Sequence, residues 1–256
     1  MLSANFQTAR QNYAYVPACL VKTSIENDVG LTWSGAHFVP DVPADWARSR
    51  RHHSSKKLDE FHSDLLNSSH DTDIMHGLLS TVFWGYVSGT NGRITVNRAL
   101  SKSRMLLNGR GSIVAQDPDE VISHLRSARE LVLKRQLARA LIEVRRIRFL
   151  GMSFASKVLM FMAPDIASVY DDVISQRLKV QEDHDLRRLH VSTAHTASQS
   201  IADEQASAYE GWCNWCSESA SVLNTSNITW RDWDGAIHRW RAVDVERAFF
   251  ALGRPE

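Results

Sequence analysis

Phe149-Leu150-Gly151-Met152-Ser153-Phe154-Ala155-Ser156-Lys157 is the stretch that decides how this 256-residue chain is read. Before it, Leu137, Leu141, Val144 and Ile147 recur at helical spacing. After the tight break at Phe149 to Ser153, an apolar helical run continues from Phe154 to Met162 and is stopped by Pro164. The order is helix, short glycine-containing hairpin, helix, over about residues 137–163. The chain then runs extended to Val169-Tyr170-Asp171-Asp172-Val173-Ile174. Asp171 reads as the cap of a further helix whose apolar side carries Val173, Ile174 and Leu178.

Working outward, helices dominate. Asp117-Pro118-Asp119-Glu120 is a helix start, with Asp117 as N-cap, Pro118 in the first turn and Glu120 placed to close a capping box. Val121, Ile122, Leu125, Ala128, Leu131 and Val132 follow at helical spacing. From Ile201 a long helix carries Ala208, Trp212, Cys216 and Leu223 on one stripe, and a last helix holds Val243, Val245, Ala248, Phe249 and Leu252. Trp230, Trp233 and Trp240 lie in the turn-rich connection between them. The run 182–200 is polar and reads as loop or exposed helix. His76 to Tyr86 is apolar and aromatic, and is broken by Ser88-Gly89-Thr90-Asn91-Gly92, a turn signal. Pro40 and Pro43 interrupt the first 70 residues, which read as loops with a few short helices. Few segments alternate with period two, so the fold class is all-α. The expected organisation is an N-terminal irregular and helical region over 1–74, packed on a helical domain over 75–256.

Composition narrows the function. A 43% apolar content is that of a globular chain. Three cysteines, Cys19, Cys213 and Cys216, are too few for a disulfide framework and suit a reducing cytoplasm. No apolar run approaches the length of a membrane span, and Met1 to Tyr15 lacks a signal pattern. A cytoplasmic, monomeric protein with no membrane partner is expected. Net charge is only +1, but the basic residues cluster. Arg129, Lys134, Arg135, Arg139, Arg145, Arg146 and Arg148 form one group, Arg93, Arg98, Lys102, Arg104 and Arg110 a second, and Arg48, Arg50, Arg51, Lys56 and Lys57 a third. Such clusters are either solvated helix faces or a phosphate footprint. His52, His53, His62 and His70 lack ligand spacing, and Cys213-Asn214-Trp215-Cys216 has no second pair, so no metal site is expected.

The hairpin has chemistry of its own. Backbone N–H groups at the start of its second helix can hold a phosphate without reading sequence. Lys157 sits near that start, and Asp171 opens the next helix fourteen residues on. A lysine and an aspartate beside a phosphate-binding hairpin suit cleavage of an N-glycosidic bond. The carboxylate stabilises the sugar cation, and the amine can attack the sugar carbon and form a Schiff base.

The segment 149–157 followed by 169–174 resembles the helix-hairpin-helix DNA glycosylase superfamily, and most of all bacterial 8-oxoguanine DNA glycosylase-fold proteins. The likeness covers about residues 75–252, is strongest over 145–178, and extends to Tyr209–Cys216 and Trp230–Leu252. It implies two helical lobes with a cleft between them, and duplex DNA as partner with one base flipped out. It implies that Asp171 assists bond cleavage and that Gly151, Met152, Ser153 and Phe154 hold the DNA backbone, with a monovalent cation at the hairpin. Arg104, Arg145 and Arg148 are expected on phosphates. Trp84, Trp212, Trp215 and Phe249 are candidates for the base pocket, against the ordinary reading of such aromatics as core. The substrate implied is a damaged purine such as 8-oxoguanine. Relatives of this compact type are often found with anti-phage defence genes, which makes a modified phage base the rival substrate and defence proteins candidate partners.

The sequence departs from the family in its lysine. The family nucleophile follows the hairpin's last glycine by two residues, where Ser153 stands here. Lys157 lies one helical turn further on the same face. The hairpin also lacks the usual proline and second glycine. The other readings are a binding module that keeps the hairpin without chemistry, and a purely structural helical protein, in which Lys157 is a surface residue and Asp171 only a cap.

Overall fold

A computed structural model describes residues 2–24, 29–43, 53–87 and 95–252. The Ser88–Gly92 turn and Arg48, Arg50, Arg51, His52 and Arg93 lie outside the described residues. Helices dominate, in agreement with the all-α reading. In chain order they are α1 (Leu2–Asn12), α2 (Ser55–Leu66), α3 (Asp71–Val87), α4 (Val96–Asn108), α5 (Pro118–Leu133), α6 (Leu137–Val144), α7 (Met152–Met162), α8 (Asp172–Lys179), α9 (His184–Arg188), α10 (Gln199–Thr225) and α11 (Ala242–Ala251).

Two helices are apolar on nearly every face, and that puts them in the centre. On α3, the run from Ile74 to Trp84 is buried throughout. On α7, only Ser153 and Phe154 escape full burial. These helices pack on each other, α3 also meets α2, α4 and α5, and α7 also meets α2, α5 and α6. The long helix α10 packs on α6 and α11, and its predicted stripe is buried, with Trp212 and Cys216 wholly enclosed. In the segment 182–200, the short helix α9 and the first two residues of α10 are helical, and the rest is irregular.

The N-terminal part differs from its reading as loops and short helices. Strands β1 (Cys19–Thr23), β2 (Leu31–Trp33) and β3 (Ala36–Asp41) form an antiparallel sheet in the order β1-β3-β2. Leu20 and Phe38 are fully buried, and β1 lies on α3. Pro40 hid the strand, yet it pairs only with Leu20, beyond the reach of β2, so its missing N–H interrupts no ladder on that side. A second pairing, β4 (Trp230–Arg231) with β5 (Ile237–His238), structures the tryptophan-rich connection. On α5, Asp117 caps through the Asp119 N–H, while the Glu120 carboxylate accepts from Gln116 instead of closing a box.

The N-terminal elements are bolted to α11 by buried charge. Arg10 on α1 donates to Asp244 at 3.0 Å and to Ser55 at 2.6 Å. Arg247 donates to both carboxylate oxygens of Asp59, at 2.9 and 2.5 Å, and Arg241 reaches Asp59 and Asp244. Asp232 receives Ser54, Ser55 and the Lys56 N–H. Three arginines thus balance three aspartates, which is how buried charge becomes tolerable. Phe6, Tyr13, Trp233, Trp240 and Phe250 pack around this network.

Candidate active site

The hairpin is built as its sequence suggests, with one substitution of means. Between α6 and α7 the chain turns at Phe149, whose φ of 70° lies in the left-handed region. Phe149 stands two residues before Gly151, so a bulky side chain takes the conformation a second glycine would adopt without cost. Gly151 is the N-cap of α7 and supplies no side-chain cap. Its carbonyl receives Phe154 and Ala155, whereas the Met152 and Ser153 N–H groups bond to none of the described residues. A Cβ added at Gly151 would meet nothing within 4 Å, so this helix start is open.

Lys157 lies on the central helix α7 and is only 6% exposed. A lysine so enclosed requires a partner. It has two: Nζ donates to Asp171 Oδ2 at 3.3 Å and to the Ser153 carbonyl at 3.5 Å. The amine thus lies between the Asp171 carboxylate and a backbone carbonyl of its own helix. Asp171 divides its oxygens. Oδ1 caps α8 by accepting the Val173 and Ile174 N–H groups at 3.1 and 3.2 Å, and Oδ2 faces the lysine. Asp172 is exposed and accepts from the Thr193 hydroxyl instead.

The extended segment before Asp171 is pinned by Ser156 and Tyr170, which the sequence reading gave no role, and by Trp212, which it offered for the base pocket. Ser156 on α7 accepts the Tyr170 N–H at 3.0 Å and donates to the Tyr170 carbonyl at 3.2 Å. The Tyr170 hydroxyl donates to Leu189 O at 2.6 Å and accepts from the Val191 N–H. The Trp212 indole N–H donates to Val169 O at 2.9 Å.

Glu246 on α11 was also missed, because it sits in an apolar helical run. It is 3% exposed. Burial, and next the Asp171 carboxylate, push its carboxyl up to about 8, against weaker opposition from Arg247, Lys157 and Arg10.

The remaining predicted residues separate. Phe154 stacks on Tyr86 at 4.4 Å, and Lys102 and Arg98 of α4 stand over Tyr86. Gly85 makes room for this face: a Cβ there would lie 2.5 Å from Phe154 and 3.3 Å from Lys157 Cδ. Trp84 is buried on the same helix between Tyr15 and Phe161, with its indole nitrogen unpartnered among the described residues. Trp212, Trp215 and Phe249 form a separate cluster. Trp215 and Phe249 line a cavity of about 410 Å³ with Phe6, Arg177, Leu186 and Leu252, towards the far end of α8 from Asp171. Arg148 donates to the carbonyls of Val114 and Ala115, and Arg104 to that of Gly30. Arg145, at the end of α6, keeps one buried guanidinium nitrogen without a partner among the described residues, and burial lowers its pKa. Cys213 and Cys216 are free thiols enclosed in the core.

A helical fold that holds a lysine and an aspartate together behind an open hairpin defines a glycosylase-like protein. The chain matches the family described as "Putative 8-oxoguanine DNA glycosylase OGG-like protein" over residues 37–250, and it belongs to that family. No curated protein and no solved structure matches it. Among the described residues, no helix is long and apolar enough to cross a membrane.

Proposed function

We propose that the chain is a DNA glycosylase that extrudes a modified purine of the 8-oxoguanine type and cleaves its N-glycosidic bond, with Lys157 able to carry the reaction on to a Schiff base. The observation that carries this reading is the 3.3 Å contact between Lys157 Nζ and Asp171 Oδ2, one helical turn behind the hairpin of an OGG-like chain. The N–H groups of Met152 and Ser153, unbonded to the described residues, and the positive end of α7 suit a backbone phosphate. The carbonyls of Arg148, Phe149 and Leu150 accept no hydrogen bond from the described residues, so they fit a monovalent cation, which would add positive charge facing that phosphate.

With the sugar against Asp171 Oδ2, the glycosidic electron pair leaves with the base, and the carboxylate stabilises the positive charge left on the sugar. The Lys157 amine, freed of its proton, adds to C1′; as an N–H proton of the adduct passes to O4′, the nitrogen lone pair forms the C=N bond of the Schiff base and the C1′–O4′ bond breaks, opening the ring. Phe154 and Tyr86 offer the aromatic face nearest the lysine.

Base release from duplex oligonucleotides tests the reading. The set should carry 8-oxoguanine, other oxidised or alkylated purines, and modified bases of the kind found in phage DNA. Excision of at least one is expected. Salt-dependent binding with no release from any of them would leave a binding module and refute the enzyme.

A further inference from the structure

The basic residues of α4 divide into two uses. Arg104 donates to Gly30 O and serves the fold. Arg98 and Lys102, one helical turn apart, stand over the Tyr86 ring, at 5.9 and 5.4 Å from its centroid. Tyr86 in turn stacks on Phe154 at 4.4 Å with the ring planes 19° apart, and Lys157 Nζ lies 5.5 Å from the Phe154 centroid. Cations and rings therefore form one continuous row from the Lys157–Asp171 pair to α4. The row is not sealed from solvent: Tyr86, Phe154 and Lys102 are half-buried, and Arg98 is exposed. No acidic residue stands between Val96 and Gln116 in the sequence, so the segment that carries these cations does not neutralise them. The rings are also held in place. A side chain at Gly85 would come within 2.5 Å of Phe154, so its absence lets that ring pack directly on the backbone of α3.

We propose that this row holds the nucleotide next to the extruded one, with its base against the Tyr86–Phe154 pair and its phosphate on Lys102 and Arg98. The inference rests on the glycosylase reading and deepens it. At 4.4 Å the two rings already touch, so no base enters between them, and only their outer surface is left to a ligand. An extruded base needs an enclosing pocket. A base that stays in the strand beside it has lost a stacking neighbour, and an aromatic surface can replace that neighbour whatever the base is. The two cations bind any phosphate in the same way, so the row positions the strand without reading its sequence. Phe154 belongs to the first turn of α7. A strand whose phosphate sits at that helix start therefore passes the rings on its way to Lys102 and Arg98.

Binding to a duplex with a reduced abasic site, which has no base to release, tests the row without turnover. Kd is measured over a series of salt concentrations, with far-UV circular dichroism and thermal melting as checks on the fold. The double variant Arg98→Gln with Lys102→Gln should lower the slope of log Kd against log salt by about 1–2. Tyr86→Leu and Phe154→Leu should each bind at least about fivefold more weakly at fixed salt, with the slope kept. That ring penalty should vanish on a duplex that also lacks the base beside the abasic site, on the 5′ or the 3′ side, because nothing is left to stack. An unchanged slope in the double variant, or unchanged affinity in Tyr86→Leu, overturns the proposal, while salt-dependent binding by the wild type leaves the glycosylase reading standing. A ring penalty that persists on both of the doubly abasic duplexes also overturns it, since the rings then act only on the fold. A wild type without affinity for the duplex at low salt overturns the proposal and the glycosylase reading together.

Discussion

The side chains of Lys157 and Asp171, fourteen residues apart in the chain, meet at 3.3 Å. The backbone holds both ends. Asp171 is fixed by its cap on α8 and by Ser156 gripping Tyr170 on either side of its peptide. Lys157 is fixed by the packing of α7, and its side chain returns to Ser153 O at 3.5 Å. On the proposed reading, the pair offers the lysine and the carboxylate at the hairpin by a different route along the helix.

If that equivalence is sound, the lysine can be moved. Lys157→Ala should abolish borohydride trapping on an abasic-site duplex. Adding Ser153→Lys should restore trapping to within about a hundredfold of wild type, since Ser153 lies on the same face at the helix start. Failure of the double variant to trap, with its fold intact, would show that the amine must approach from Lys157 itself.

Gly85 should be intolerant of a side chain although it lies in a helix, where alanine ordinarily stabilises. A Cβ at 2.5 Å from Phe154 forces that ring and Lys157 to shift. Gly85→Ala is expected to cost about 1–3 kcal/mol in denaturant unfolding, as overpacking does. Single-turnover base release should fall more than the stability loss explains. A neutral or stabilising outcome would mean that α3 and α7 are not packed as described.

Stability should fall at both ends of the pH scale. Asp232 and Asp244 are held below the usual carboxylate range because nearby arginines and hydrogen bonds outweigh their burial. A depressed acid contributes stability above its unfolded value, and that contribution is lost as pH falls through the folded value, so melting should weaken below about pH 4. Burial lowers His62 from 6.5 to about 4, which gives the same sign in a higher window, as pH falls from about 6.5 towards 4. Glu246 is raised, so the folded state binds its proton more tightly, and stability declines as pH rises from 4.5 towards about 8. Thermal melts from pH 3 to 9 check both limbs. Asp244→Asn should cost about 3–5 kcal/mol near neutrality, because it leaves buried arginines short of charge. Glu246→Gln should raise Tm at pH 9 relative to wild type.

Much of the site was legible because its signals are local. A glycine-containing break between two helical runs, a lysine one turn on and a capping aspartate are all matters of spacing, and their elements stand where the spacing puts them. The sheet at β1 to β3 was not, because five- and six-residue strands give too little alternation and Pro40 argued against one of them. Glu246 escaped for a different reason. A glutamate in Val243-Asp244-Val245-Glu246-Arg247-Ala248 reads as the wet side of a helix, but α11 is covered by α1, α8 and α10, so the helix has almost no wet side. Only tertiary packing encloses Glu246.

The most direct measurement is single-turnover base release by Asp171→Asn beside wild type, on the best substrate from the oligonucleotide screen. Asparagine caps a helix about as well as aspartate, so folding and DNA affinity should be retained. The carboxylate's charge, and with it stabilisation of the sugar cation, is lost. Release should slow by a hundredfold or more while Kd for the duplex changes by less than about threefold. Release at the wild-type rate would contradict the assignment of the chemistry to the Lys157–Asp171 pair.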